Sequence, residues 1–217
     1  MTRRLRNHSL ITLALAVVLL MAMTAPAGAK PKAAAPEPGL ATVASGLDNP
    51  RGLAFTPNGS LYVAEAGTGG AGPCFEGPEG EVCFGETGAI TRIGKSGQTR
   101  VITGLPSLAG AGGVSASGVH DVSFLGNGHA YAVIGLGGDP AVRDALPELA
   151  DMGTMIRFKH NKDSWKIAAN MAAYEAAYDP DGAGADSNPY AVLAVPGSRL
   201  VIDAGGNDLL EIAANGD

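Results

Sequence analysis

The sequence predicts an all-β protein made of four-stranded antiparallel sheets, the blades of a β-propeller, and three observations predict it. The composition is that of a turn-rich globular chain: 217 residues, 46% hydrophobic and 17% charged, with 32 Gly and 14 Pro. Disorder would need fewer apolar residues and more net charge, collagen Gly at every third position, and a coiled coil far more Glu, Lys and Leu. A segment also recurs at a fixed interval. Phe55-Thr-Pro-Asn-Gly-Ser-Leu-Tyr62-Val-Ala-Glu65 returns as Phe124-Leu-Gly-Asn-Gly-His-Ala-Tyr131-Ala-Val-Ile134 and as Ala194-Val-Pro-Gly-Ser-Arg-Leu200-Val-Ile-Asp203, with 69 residues from Tyr62 to Tyr131 and 69 from Tyr131 to Leu200. Finally, each copy is an apolar stretch, a Gly-containing turn and a second apolar stretch, the mark of a β-hairpin.

In chain order, Arg3, Arg4 and Arg6 precede an apolar run from Leu10 to Met23 and the small-residue exit Ala25-Pro26-Ala27-Gly28-Ala29. This is the layout of a secretory signal peptide over residues 1–29, too short in its apolar part to serve as a stable membrane span. Residues 30–39, rich in Ala, Pro and Lys, read as a flexible lead-in, and the folded domain is expected over 40–217. It opens with a strand at Ala41–Ser45. The hairpin of each copy is followed by a third strand, Gly88–Ile93, Gly153–Phe158 and Asp208–Ile212, and in the first two copies by a fourth, Gln98–Ile102 and Ser164–Ala168. Four antiparallel strands per repeat make a blade.

The repeat exceeds the usual length of about 40–50 residues per blade, and insertions account for the excess. Gly67–Thr87 and Gly137–Met152 separate the second and third strands of the first two copies, the latter with a short helix expected at Ala141–Ala150. Asn170–Tyr178 suits one or two further helical turns. Insertions at one kind of junction emerge on one face of a propeller, which is then the expected ligand face.

The chain has 15 basic and 21 acidic residues; removal of the signal peptide takes three Arg and leaves 12 against 21, a net charge near −9. Nucleic acid, which requires a basic footprint, is thereby excluded as a partner. Cys74 and Cys83 are the only cysteines. In an exported protein, within a loop rich in turn formers and poor in other metal ligands, they are expected to form a disulfide that staples the loop.

Several segments resemble the NHL-repeat propellers, specifically the bacterial ScyD/ScyE family of exported proteins. They are Gly46-Leu-Asp-Asn-Pro-Arg-Gly-Leu-Ala-Phe55, Cys83-Phe-Gly-Glu-Thr-Gly-Ala-Ile-Thr-Arg-Ile93, Ala172-Ala-Tyr-Glu-Ala-Ala177, Asp186-Ser-Asn-Pro-Tyr190 and Val201-Ile-Asp-Ala-Gly-Gly-Asn-Asp-Leu-Leu210. The resemblance implies a six-bladed propeller of undefined activity. About two and a half blades are present here, so the chain reads as an incomplete piece of such a propeller, without independent function if the rest is missing. A self-assembling half-propeller is the alternative.

The innermost strand of a blade begins at the central cavity, so residues at its start converge. Those positions are Arg51, His120 and Tyr190, the last aligned only if the Pro196-Gly197 turn is one residue shorter than its counterparts. Arg51 suits an anion clamp, His120 a metal ligand or general base, and Tyr190 a hydrogen-bond donor; alternatively, Arg51 and His120 bond backbone carbonyls. Asp186 and Asn188 lead into the same strand as Tyr190 and are further pocket candidates. Glu65 and Asp203 end the second strands of blades one and three and are candidate metal ligands, although Ile134 breaks the ring of acids. No cofactor motif is present, and calcium is the ion such carboxylates suit. The segment Asp179-Pro-Asp181-Gly-Ala-Gly-Ala-Asp186-Ser-Asn188 resembles a calcium loop but lacks the closing Glu of an EF-hand. The leading expectation is an exported binding module that takes a small molecule or a protein on its loop face. The alternative is a metal-assisted hydrolase or lyase using His120 with Glu65 or Asp203.

Overall fold

Among the described residues, twelve strands and two short α-helices build three antiparallel sheets that pack on one another in chain order. The computed structural model describes residues 39–214 except 78, 127, 160 and 161; the expected signal peptide and the lead-in up to residue 38 lie outside the described residues. The first sheet contains β1 (Pro50–Phe55), β2 (Leu61–Glu65), β4 (Gly80–Gly94) and β5 (Gly97–Ala109), with β3 (Cys74–Gly77) paired to the start of β4. The second is β6 (Val119–Leu125), β7 (His129–Ile134), β8 (Thr154–Phe158) and β9 (Trp165–Asn170). The third is β10 (Pro189–Val195), β11 (Ser198–Asp203) and β12 (Asp208–Ala213). Helix α1 (Pro140–Ala145) lies in the insertion between β7 and β8, and α2 (Met171–Tyr178) follows β9.

The repeat is visible in the register. Leu53, Val122 and Val192 pair with Val63, Ala132 and Val201, so the three hairpins superpose residue for residue. The turns differ as their sequences require. Val195 pairs with Ser198 across the two-residue turn Pro196-Gly197, where Gly197 takes φ +90°, a conformation open to glycine at little cost. That shorter turn shifts β10 by one residue and brings Tyr190 into line with His120.

Cohesion comes from apolar faces meeting between sheets. Tyr62, Ala64, Ile90 and Ile102 of the first sheet pack against Val122, Ala132, Ile156 and Phe158 of the second, and the Tyr62 and Phe124 rings lie 4.8 Å apart. The other face of the second sheet, with Tyr131, Val133 and Met155, meets Val192, Val201 and Ile212 of the third. Each such side chain contributes on the order of 1.5–3 kcal/mol by leaving water. Because the second sheet is covered on both faces, β7 reads His-Ala-Tyr-Ala-Val-Ile, an almost unbroken apolar run. Side-chain bonds join the inner strands as well: Asp121 accepts from the Val192 amide at 2.9 Å and Ser123 Oγ from the Ala194 amide at 3.0 Å.

Two outward faces are left apolar. Leu53 and Phe55 are 61% and 64% exposed, whereas their repeat equivalents Val122 and Phe124 pack into the first interface. Ile202 and Leu209 are 49% and 64% exposed, whereas their equivalents Val133 and Met155 are buried in the second.

Two expectations are corrected here. Residues 41–45 form no strand: a strand requires a partner backbone, and among the described residues this segment is held instead by a side chain, Gln98 Nε2 donating to the Ser45 carbonyl at 3.0 Å. The cysteine segment is not an irregular loop throughout, because β3 and the start of β4 make a hairpin in which Cys74 faces Cys83 across the ladder. The disulfide is present and clamps that hairpin. Among the described residues, no helix is long and apolar enough to cross a membrane.

Candidate functional site

Strands β1, β6 and β10 each carry a β-bulge at their start. Pro50 pairs with Glu65 but Leu53 with Val63; Val119 pairs with Ile134 but Asp121 with Val133; Pro189 pairs with Asp203 but Ala191 with Ile202. One extra residue is therefore inserted on the inner strand of every hairpin, and a bulge re-aims the side chain it carries. The displaced residues are Arg51, His120 and Tyr190. They line a cavity of about 680 Å3 together with Asn188, and an adjoining one of about 580 Å3. The larger cavity has an apolar wall that includes Phe75 and Val82 of the disulfide hairpin and Leu136 and Val142 of the second insertion. The two long insertions thus converge over the start of β1, β6 and β10.

His120 is 5% exposed, and its Nδ1 lies 3.1 Å from the Pro189 carbonyl. A carbonyl only accepts, so Nδ1 carries the hydrogen and Nε2 keeps a lone pair with no protein partner among the described residues. Burial pulls the pKa down to about 4; the Pro189 bond opposes this, and the Arg51 charge adds to it. At neutral pH the ring is a neutral acceptor at Nε2. The ring packs against the Tyr190 ring, centroids 5.0 Å apart and planes tilted by 52°. Arg51 donates from Nη2 to the Ala116 carbonyl at 2.8 Å. Both residues thus bond a backbone carbonyl while keeping further polar capacity in the cavity.

Asn188 is fixed through its backbone, its amide donating to Asp203 Oδ1 at 2.5 Å and its carbonyl accepting from Ala204 at 3.0 Å. Its side-chain Oδ1 is buried without a partner, as is Ser117 Oγ. Such orphaned groups are costly in a protein interior and are commonly satisfied by water or a ligand. Gly135 packs beneath them: a Cβ there would lie 2.2 Å from His120 Cε1 and 2.5 Å from Asn188 Oδ1.

Glu65 and Asp203, though equivalent in the repeat, do not line the cavity. Glu65 is fully buried and accepts from Arg100 at 2.7 and 3.3 Å, from the Asp48 amide at 2.6 Å and from the Thr91 hydroxyl. Burial pushes its pKa up, but these bonds and the Arg100 charge outweigh it and hold the group below its ordinary value. Asp203 accepts from Ser187 Oγ at 2.7 Å and from the amides of Asn188, Gly205 and Gly206 at 2.5–3.3 Å. Protein donors reach both carboxylates, which act as clasps that hold the chain entering β1 and β10. Asp186 also misses the cavity: it lies over Gly205, where a Cβ would come within 2.8 Å of its Oδ1, and burial followed by the charges of Asp203 and Asp139 raises its pKa.

Sequence reasoning missed Ser117 and Gly135. Neither stands at the strand-start positions that the repeat singles out. No protein-family model matches the chain, and no curated protein matches it either.

Proposed function

We propose that this chain is an exported β-propeller binding module of the ScyD/ScyE kind, taking a small molecule with an apolar body and an acceptor-bearing head in the cavity over its inner strands. The observation that carries this reading is the convergence of three equivalent bulge residues, Arg51, His120 and Tyr190, on one cavity whose Asn188 Oδ1 and Ser117 Oγ have no protein partner. A largely apolar pocket with a few converging polar groups is the usual form of a small-molecule site. Arg51 supplies the cation for a carboxylate or sulfate head, His120 Nε2 accepts from a ligand hydroxyl, and Phe75, Val82 and Val142 contact the body.

The propeller itself is part of the proposal. Three hairpins in one register, packed inner strand to inner strand, support a ring, and the apolar outer faces at Leu53, Phe55, Ile202 and Leu209 suit further sheets of the same kind. Export is supported by the sequence of residues 1–29 and by the disulfide. The metal-dependent hydrolase reading loses support because Glu65 and Asp203 spend their oxygens on protein donors.

Thermal-shift titration with aryl carboxylates and aryl sulfates tests the pocket. Ligands from this set are expected to raise the melting temperature of the native protein. Val142→Trp, which fills the wall without touching a polar group, is expected to weaken their binding roughly tenfold or more. Binding unchanged in Val142→Trp, or absent from the native protein, would overturn the small-molecule reading in favour of a protein partner.

A further inference from the structure

Away from the cavity, three carboxylates meet at the end of α2. Glu175 lies in its last turns, Asp179 follows it, and Asp181 stands in the next loop; one oxygen from each lies within 4.8 Å of the others. The helix ends at Asp179 in the left-handed conformation, φ +39°, which folds the chain back so that Asp181 approaches the side chains one turn apart on the helix. The cluster has a second, independent feature. Glu175 is 2% exposed, and its Oε1 is buried without any hydrogen-bond partner. Both carboxylate oxygens of nearby Asp208 are likewise buried and unpartnered. Among the described residues, no Lys or Arg pairs with any of the four. The donors that do reach the group, Asn207 Nδ2 and the Ala183 amide to Asp181, the Gly184 amide to Asp179 and the Asp186 backbone to the Glu175 carboxylate, are neutral and leave Glu175 Oε1 without a partner.

A buried carboxylate oxygen facing other carboxylates without a cation is strongly unfavourable. Burial first, and then the charges of Asp203, Asp208 and Asp179, push the Glu175 pKa up against the opposing hydrogen bond from the Asp186 backbone. All the donors are oxygens and no Cys or His takes part, which selects a hard cation. The separation of the oxygens suits ligands about 2.3–2.6 Å from a shared ion, and loop-borne carboxylates with room for water suit the flexible coordination of calcium better than the strict octahedron of magnesium.

We propose that Glu175, Asp179 and Asp181 bind a calcium ion, with Asp208 beside it. The closing carboxylate comes from the helix upstream of the Asp-rich segment, not from a position downstream. Gly206 gives the Glu175 carboxylate room, since a Cβ there would lie 2.7 Å from Glu175 Oε2. The ion would pin the segment 179–188, which delivers Asn188 to the cavity, yet the site stands whether or not that cavity binds a small molecule.

The test is a calcium chloride titration of the full protein, followed by thermal melting and calorimetry, after stripping with chelator. Calcium up to about 10 mM, roughly tenfold above the dissociation constants of about 0.1–1 mM typical of extracellular sites, is expected to raise the melting temperature more than equal magnesium chloride does. Glu175→Gln and Asp181→Asn are expected to weaken calcium binding tenfold or more, while the exposed control Glu211→Gln leaves it unchanged. Without calcium, Glu175→Gln is expected to melt at or above the native protein, because it removes a repelled charge and keeps the shape. No calcium-dependent shift, an equal shift with magnesium, or an undiminished response in Glu175→Gln would overturn the site.

Discussion

Replacing Glu65 by alanine is expected to destabilise the protein by roughly 3–5 kcal/mol, the range for removing one partner of a buried, hydrogen-bonded charge. The residue is fully buried at the end of β2, and four donors converge on it. Their costs differ when it is removed. Arg100 has 41% of its side chain exposed, so its charge rehydrates and adds little. Thr91 is fully buried, and its hydroxyl would be stranded; the Asp48 amide would lose the bond that holds the chain entering β1, and the space left by the side chain adds a cavity term. Glu65→Gln keeps the volume and part of the bonding and is expected to cost about 1–2 kcal/mol. Urea unfolding checks both: midpoints should fall in the order native, Gln, Ala, with an unchanged slope. A loss below about 1 kcal/mol in Glu65→Ala would mean that the clasp is not structural.

The second large effect is a loss of stability in mild acid that passes through His120. Unfolded, the imidazole protonates near 6.5; folded, it stays neutral down to about 4. Between these values the unfolded chain holds the additional proton, so stability is full above pH 6.5 and is lost as pH falls towards 4. The displacement corresponds to roughly 3 kcal/mol across that window. Asp121 works in the opposite direction, because burial raises its pKa despite bonds from the Val192 and Val122 amides. The diagnostic quantity is therefore the difference between the native protein and His120→Gln. The variant is expected to show a distinctly flatter profile of unfolding free energy between pH 7 and 4, and coincident profiles would mean that His120 is solvated in the folded state.

The sheets were legible because their signal is local. A Gly turn between apolar stretches, repeated at a constant interval, defines a hairpin whatever surrounds it, and even the shift that aligns Tyr190 with His120 followed from one missing residue at Pro196-Gly197. The site was legible only where it rides on the repeat. Arg51, His120, Asn188 and Tyr190 meet because each precedes or starts an inner strand. Glu65 and Asp203 were placed correctly at strand ends, but what occupies a carboxylate is decided by residues distant in sequence: Arg100 and Thr91 for one, Ser187 and loop amides for the other. Residues 41–45 have strand-like composition, and their failure to form a strand depends on a neighbouring backbone that no local pattern encodes. Glu175 escaped notice for a related reason. In sequence it is one charge in an Ala-rich helix, and only the left-handed turn at Asp179 brings it to Asp181.

The most direct test of the proposed propeller is the native mass of the protein as the cell produces it. Closing a ring requires the faces at Leu53 and Phe55 and at Ile202 and Leu209 to be covered by sheets like those they resemble. The expected result is a single species of about double the mass of residues 30–217 or more, in keeping with a ring of roughly six blades. A compact, protease-resistant monomer with the mass of residues 30–217, unchanged at high concentration, would contradict it.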